Sequence, residues 1–227
     1  MDGFLFDTHI HTAESSPCGV LSAEETVRAY HAAGYSGLCI TDHYNAPYFA
    51  QWGCPTWNET ADRLLLGYRR AAECGAKLGM DILLGTEIRF VGSPNDFLLF
   101  GLTEAFFYEY PNVHTYAPEE FCRLMNARGV LVFQAHPFRT MCSVAEPIMP
   151  DGIEVINGNP RHNSWNEKAA AYARAHGLYV SAGSDCHQIE DVGQNGIITN
   201  TRIWDLDQLI DALKSPETRL YTATEGQ

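Results

Sequence analysis

Histidines and carboxylates recur in short motifs whose residue types suit metal binding. The motifs are Asp7-Thr8-His9-Ile10-His11, Thr41-Asp42-His43, Gly85-Thr86-Glu87, His136-Pro137 and Ser184-Asp185-Cys186-His187. His9 and His11 are separated by a single residue, so both project to the same side of an extended chain. Asp185 and His187 repeat that spacing. Imidazole nitrogens combined with carboxylate oxygens suit Zn, Mn or Fe.

The motifs offer more ligands than one tetrahedral ion can use, because a structural zinc site takes about four. We therefore expect two or three divalent metal ions that share these side chains. A single His-x-His pair would be weak support for this, since a buried histidine is often only a core residue.

The elements that must position these motifs alternate along the chain. Strands are predicted at residues 4–7, 37–41, 81–90, 97–102, 130–133, 153–156, 178–182 and 197–199. Helices are predicted at residues 22–34, 61–78, 118–128, 166–175 and 206–213, and an aromatic loop at 47–57. This alternation predicts a mainly parallel sheet, either open and doubly wound or closed as a barrel. The motifs stand at or near the ends of five predicted strands, and in an α/β barrel such ends converge on one face where active sites form.

Composition narrows the class of protein. Hydrophobic residues make up 45% of the chain and the net charge is −13, so we expect a globular fold that repels nucleic acid in bulk. No apolar stretch approaches the ~20 residues of a membrane span. The seven cysteines are scattered without a C-x-x-C motif, which favours a reducing cytoplasm over a disulfide framework. No linker divides the chain, so one domain is predicted for residues 1–227.

The motifs, taken in order, resemble those of the PHP (polymerase and histidinol phosphatase) family, over about residues 5–200. The resemblance implies a distorted (β/α)7 barrel of the TIM-barrel type with a three-metal site. It also implies hydrolysis of phosphate esters, as in stand-alone phosphoesterases of the histidinol-phosphatase kind.

The resemblance also implies roles for individual ligands. His9 and His11 correspond to the first metal pair, and Glu87 to the carboxylate that bridges two metals. His136 corresponds to a ligand of the second metal, and His43 and His187 to ligands of the third. Asp185 corresponds to the closing aspartate, which would also steer the attacking water.

The chain departs from the family pattern at two ligand positions, where more than one residue could be the ligand. Family members often place an Asp or His shortly after the His-x-His pair, where this chain offers Glu14 or Cys18. We favour Glu14, because a hard carboxylate matches the other ligands. A histidine often found before the His-Pro motif is absent. Either Asp96 replaces it or the second metal is held more weakly, and His114 is the weaker substitute.

Cationic side chains near the motifs suggest a phosphate site. Arg89, Arg139 and Arg161 adjoin motif residues, and Arg139 and Arg161 lie just beyond strand ends, where a phosphate would sit. The alternative for these two is an ion-paired surface arginine. Asn159 and His162 are expected to contact the leaving group. Aromatic residues between Tyr44 and Trp57 either wall the pocket or pack on the barrel.

These inferences predict a metal-dependent phosphoesterase that cleaves a small phosphomonoester with a metal-bound hydroxide. Asp185 or a histidine would move the proton, and Glu87, Arg139 and Arg161 would complete the catalytic set. An amidohydrolase-like hydrolase and a non-catalytic metal-binding module are the alternatives. The sequence leaves the phosphate ester, the metal and the oligomeric state open.

Overall fold

The computed structural model describes residues 3–145 and 150–223, which form a mixed α/β fold. The strands are β1 (Phe4–Ile10), β2 (Gly37–Ile40), β3 (His43–Tyr44), β4 (Asp81–Arg89), β5 (Asp96–Phe100), β6 (Leu131–Gln134), β7 (Gly152–Asn157), β8 (Tyr179–Gly183), β9 (Asn195–Thr199) and β10 (Arg219–Thr222). The helices are α1 (Ala23–Ala32), α2 (Ala46–Trp52), α3 (Trp57–Leu78), α4 (Glu104–Glu109), α5 (Pro118–Asn126), α6 (Asn166–His176) and α7 (Leu206–Lys214).

The sheet curls until its ends nearly meet. Its order is β10-β9-β1-β2-β4-β5-β6-β7-β8, with β3 beside β4. The end of β8 returns to β1: the Thr8 hydroxyl donates to the Ala182 carbonyl over 3.0 Å, and Ile10 bridges Cys186. The strands β1, β2 and β4 to β8 therefore surround a nearly closed barrel, which confirms the predicted barrel class.

The sheet is mainly parallel, as expected, but two of its strands run against the others. Strand β5 runs antiparallel to both β4 and β6, and β9 runs antiparallel to β1 and β10. Residues 90–95 are the whole connection between β4 and β5. A parallel crossover needs about a dozen residues or more, so this short link can only reverse the chain.

Local sequence explains the helix boundaries. Ser22 and Glu25 form a capping box at the start of α1, as the sequence predicts, and Thr56 and Glu59 form another at α3. This second cap starts α3 at Trp57, four residues before the predicted start. The predicted aromatic loop contains the short helix α2, whose N-cap is Asn45.

The packing of β8 depends on a glycine next to the first histidine. A Cβ on Gly183 would lie 2.4 Å from the Cβ of His9, so only glycine allows β8 to lie this close to β1. A buried hydrophobic cluster elsewhere joins Phe6 and Phe133 of the strands to Leu209 of α7. In the parts of the chain that the structure describes, none of the helices is both long and apolar enough to cross a membrane.

Candidate metal centre

Seven side chains from five segments of the chain, each at or near a strand end, meet in what we call the His–carboxylate cluster. Its members are His9, His11, His43, Glu87, His136, Asp185 and His187. The Nε2 atoms of His9 and His11 lie 3.1 Å apart. Glu87 Oε2 lies 3.5 Å from His9 Nε2 and 3.4 Å from His11 Nε2, and Asp185 Oδ1 lies 3.5 and 3.3 Å from the same two nitrogens. The structure therefore gathers the five predicted motifs at one place.

Three groups within and beside this cluster have the spacing of metal ligands. They are His9–His11–Asp185, His11–His43–His187 and Glu87–Asp96–His136. In each group the ligand atoms lie within 4.8 Å of one another. His11 belongs to two groups, and Asp96 occupies the position that the sequence left open. The groups are compatible with two or three ions that share ligands.

Two buried atoms of the cluster lack hydrogen bonds to the described residues. They are His43 Nδ1 and Glu87 Oε2, which face each other at 2.8 Å as an ion pair whose angles do not suit a hydrogen bond. A buried carboxylate oxygen without a donor is costly unless a cation satisfies it. The donor set of imidazoles and carboxylates suits Zn, Mn or Fe, so the residues fit the divalent ions that the motifs imply.

Burial and mutual charge shape the titration of the cluster. Burial raises the pKa of Glu87, but His43 and His9 lower it more, and it lies well below its ordinary value. Burial lowers the pKa of His9, but Glu154, Asp185 and Glu87 raise it well above its ordinary value. Burial, with His43 and His187, lowers the pKa of His11. Carboxylates are thus kept ionised, and protons compete with metal ions for the imidazoles.

A buried carboxylate that the sequence analysis missed orients two of the histidines. Glu154 of β7 accepts from His9 Nδ1 over 2.9 Å and from the His136 backbone N–H over 3.0 Å. Its side chain is completely buried. Such a partner fixes the tautomer and the direction of a metal-binding imidazole. The available signal was a single acidic residue inside the apolar run Ile153–Ile156.

Two ligands occupy the left-handed region of backbone space. His136 has φ 30° and Asp185 has φ 51°. Residues without glycine's freedom rarely adopt these values, and such strain concentrates at functional sites. Hydrogen bonds hold both turns: Glu154 accepts from the His136 N–H, and Arg139 donates to Asp185 Oδ2 over 2.6 Å.

A cavity of about 310 Å³ opens beside the cluster and contains the predicted substrate-binding residues. They are Arg89, Arg139, Asn159, Arg161 and His162. Each arginine is already paired with a carboxylate: Arg89 with Asp96, Arg139 with Asp185, and Arg161 with Asp191. The three arginines therefore both line the cavity and form ion pairs with carboxylates. The Asn159 side chain contacts Asp185 O and Arg161 N, so it braces the loop.

The structure does not bring Glu14 to the cluster. Its carboxylate accepts from Ala23 N over 2.8 Å and from Arg70 over 3.2 Å, because the turn after His11 directs it towards α1 and α3. Cys18 instead lines the cavity beside His43 and His187. Burial acts to raise the Cys18 pKa, but hydrogen bonds with His187 and His43 lower it to about 6.

Two further predictions concern rings near the cavity. His114 lies apart from the cluster, packed against Tyr44 and Phe49 with ring centroids 5.6 and 5.2 Å away. The aromatic residues between Tyr44 and Trp57 were expected either to wall the pocket or to pack on the barrel, and the structure shows both arrangements. Tyr44 is buried in the core, whereas Tyr48 lines the cavity.

Two protein-family models match this chain. The PHP domain model matches residues 7–180, and the PHP-associated model matches residues 163–218. The chain belongs to the PHP domain family. The first match contains every residue of the cluster except Asp185 and His187, which lie in the second.

Solved structures show the same fold at low sequence identity. One is a two-domain protein from Bacteroides vulgatus that contains a predicted PHP-like metal-dependent phosphoesterase, at TM-score 0.69 and 20% identity. The alignment covers 96% of this chain and 64% of that protein, so the PHP chain spans less than two thirds of its length. Another is PsfC from Pseudomonas syringae, at TM-score 0.69 and 16% identity, covering 99% of this chain and 93% of that one.

A third similar structure is an amidohydrolase from Chromobacterium violaceum with bound sulfate. It has a TM-score of 0.59 and 17% identity, and the alignment covers 97% of this chain and 99% of that one. At such identities these structures support the fold alone. A search of curated proteins finds no match to the chain.

Proposed function

We propose that this PHP protein is a divalent-metal-dependent phosphoesterase that hydrolyses a small phosphomonoester. The observation that carries the proposal is the His–carboxylate cluster, which lies beside a cavity lined by three arginines. In a chain with net charge −13, those arginines are local cations for an anionic substrate. Retention of seven strand-end ligands favours an enzyme over a non-catalytic metal-binding module.

The proposed ligands are the seven members of the cluster together with Asp96. Cys18, rather than Glu14, is the further ligand that we propose beside His43 and His187, since it lines the cavity with them. When bound, two or three ions of Zn, Mn or Fe would polarise the phosphoryl oxygens and lower the pKa of water. Glu87 would bridge two of these ions.

Arg139 is suited to positioning and to phosphate binding at the same time. One terminal nitrogen donates to Asp185 Oδ2 over 2.6 Å and to Asn157 Oδ1 over 2.7 Å. Its Nε is buried and has no hydrogen-bond partner among the described residues. A guanidinium with an unused N–H next to the cluster can donate a hydrogen bond to a phosphate oxygen.

Asp185 and His162 are suited to different tasks in the reaction. Burial acts to raise the pKa of Asp185, but His9, His11 and Arg139 outweigh burial. The pKa of Asp185 therefore lies well below its ordinary value. At neutral pH Asp185 is therefore charged, which suits orienting a nucleophile rather than protonating a leaving oxygen. Burial and Arg139 lower the pKa of His162, so this cavity residue is neutral near pH 7 and can accept a proton.

An amidohydrolase-like activity is the second candidate, because the fold resembles that of the Chromobacterium violaceum amidohydrolase. That chemistry often uses a lysine at a strand end. Here Lys77, Lys168 and Lys214 all lie on helices. The phosphoesterase is therefore the better supported reading.

Phosphate release tests the proposal. The purified protein, loaded with Mn²⁺, Zn²⁺ or Fe²⁺, is assayed against a panel of phosphomonoesters and a panel of amides and lactones. We expect metal-dependent phosphate release. Hydrolysis confined to the second panel would favour the amidohydrolase-like reading. Metal binding without turnover on either panel would favour the non-catalytic module.

The remaining expectations about the whole protein belong to the same proposal. We treat residues 1–227 as one hydrolase domain; residues 1–2, 146–149 and 224–227 of that range lie outside the described residues. All seven cysteines are free thiols, which supports a reducing cytoplasmic environment. A small phosphorylated molecule is the expected partner, without nucleic acid or membrane.

A further inference from the structure

Asp96 takes part in two interactions that compete with one another. Its Oδ2 atom faces His136 Nε2 at 3.8 Å in the group with Glu87, and Glu87 Oε1 lies 3.1 Å from the same nitrogen. Arg89, its cross-strand neighbour in the pairing of β4 with β5, holds the same carboxylate with two nitrogens. Arg89 Nε donates to Oδ1 over 2.6 Å, and the terminal nitrogen donates to Oδ2.

The two partners of Asp96 differ in freedom. The Asp96 side chain is 2% exposed and fixed between strands, whereas that of Arg89 is 47% exposed and borders the cavity. A cation bound by Glu87, Asp96 and His136 would take the oxygen that the guanidinium holds, and the two positive charges would repel each other. Arg89 is therefore the group that would move, towards the cavity.

We propose that Arg89 couples anion binding to metal occupancy: a divalent cation at Glu87–Asp96–His136 displaces the guanidinium from Asp96, and the released guanidinium then binds an anionic group in the cavity. The inference rests on the proposed function, since it needs a cation at this group. Without an anion, Arg89 opposes the cation. With an anion between them, both are stabilised, and by linkage each ligand raises the affinity of the other.

Neither of the other cavity arginines is placed to do this. Arg161 uses both terminal nitrogens on Asp191, and Arg139 donates to Asp185 Oδ2. Asp185 Oδ1, which lies near His9 and His11, is a different atom from the Oδ2 that Arg139 holds. Competition for a single oxygen is thus a property of the Arg89–Asp96 pair.

The test is calorimetric titration of the metal-free full-length protein with Mn²⁺, with and without inorganic phosphate. The variant Asp96→Asn identifies the binding step that belongs to this group, because that step should be lost. Without phosphate, we expect Arg89→Gln to raise the Mn²⁺ affinity of that step about fivefold to tenfold. The same variant should lose most of the increase in Mn²⁺ affinity that phosphate causes in the wild type. Arg89→Lys keeps the positive charge but lacks the paired donors of the guanidinium, so both of its effects should lie between those of the wild type and Arg89→Gln.

Arg69→Gln is the matched control. Arg69 is likewise a partly exposed, ion-paired arginine, held by Glu104 and Asp62, but it does not line the cavity, so its substitution should change neither affinity. Weaker or unchanged Mn²⁺ binding in Arg89→Gln, or an undiminished effect of phosphate, would overturn the coupling while leaving the phosphoesterase proposal intact. Failure of the wild type to bind Mn²⁺ at all would contradict both.

Discussion

Buried carboxylates within the His–carboxylate cluster and beside it have opposite surroundings. Asp7 and Asp42 accept hydrogen bonds from hydroxyl and amide donors: the Tyr30 and Ser184 hydroxyls lie 2.9 and 2.5 Å from Asp7 Oδ2. Asp42 accepts from the Ser16 hydroxyl over 2.6 Å and from Thr12. Burial raises the pKa of both aspartates to about 6.

Glu87 is equally buried, but its surroundings are mostly imidazoles. Its Oε2 has no hydrogen-bond donor among the described residues, and the neighbouring histidines keep its pKa well below the ordinary value. The comparison teaches that burial does not mark a metal ligand. What distinguishes Glu87 is that its neighbours are imidazoles, which can themselves bind a cation, and that its Oε2 accepts no hydrogen bond from the described residues. Asp7 and Asp42 are already satisfied by hydroxyl and amide donors.

The variant Glu87→Gln should give the largest effect and tests whether Glu87, unlike Asp7 and Asp42, is a metal ligand. An amide is a poor bridging ligand, so we expect phosphatase activity to fall by roughly 10³-fold or more with the fold intact. Turnover assays together with circular dichroism check this. Near-normal turnover would show that Glu87 is not a ligand.

The next effect concerns the cavity arginines. Arg139→Ala should weaken kcat/KM by about 2–4 kcal/mol, because the guanidinium contacts Asp185 and has a donor free for phosphate. Arg161→Ala should cost less, about 1–2 kcal/mol, since its terminal nitrogens are occupied by Asp191. Arg139→Lys should recover only part of the loss. Equal kcat/KM in the wild type and both alanine variants would remove these arginines from the substrate site.

The satisfied carboxylates are probed by Asp42→Ala. This change leaves the donors of Thr12 and Ser16 buried without acceptors, so the free energy of unfolding should fall by about 2–4 kcal/mol. Metal content should stay at the wild-type value. Urea denaturation and elemental analysis measure the two quantities. A variant of unchanged stability that has lost metal would reverse the roles given to Asp42 and Glu87.

Much of the centre could be predicted because strand ends determine where side chains converge. His9, His43 and Glu87 lie in strands, and His136 and Asp185 lie two residues beyond the ends of strands, in agreement with the family motifs. The strand predicted at residues 81–90 corresponds to β4, which carries Glu87 near its end.

What could not be predicted depends on loop conformation and on tertiary partners. Glu14 was favoured over Cys18 on chemical hardness alone, but the Thr12 to Gly19 segment folds through hydrogen bonds to Asp42 that the sequence does not reveal. Glu154 was missed because its role arises from the β1–β7 proximity in the barrel. The reversal at β5 was missed because its strand pattern is the same in either direction.

Metal content is the most direct test of the whole account. Elemental analysis of protein expressed with ample metal should find two to three divalent ions per chain in the wild type and fewer in Glu87→Gln, given the ligand groups around Glu87 and His11. Removing the ions with a chelator should lower the melting temperature, because ligands bound only to the folded state stabilise it. Less than one ion per chain, with a melting temperature that a chelator leaves unchanged, would contradict the central claim.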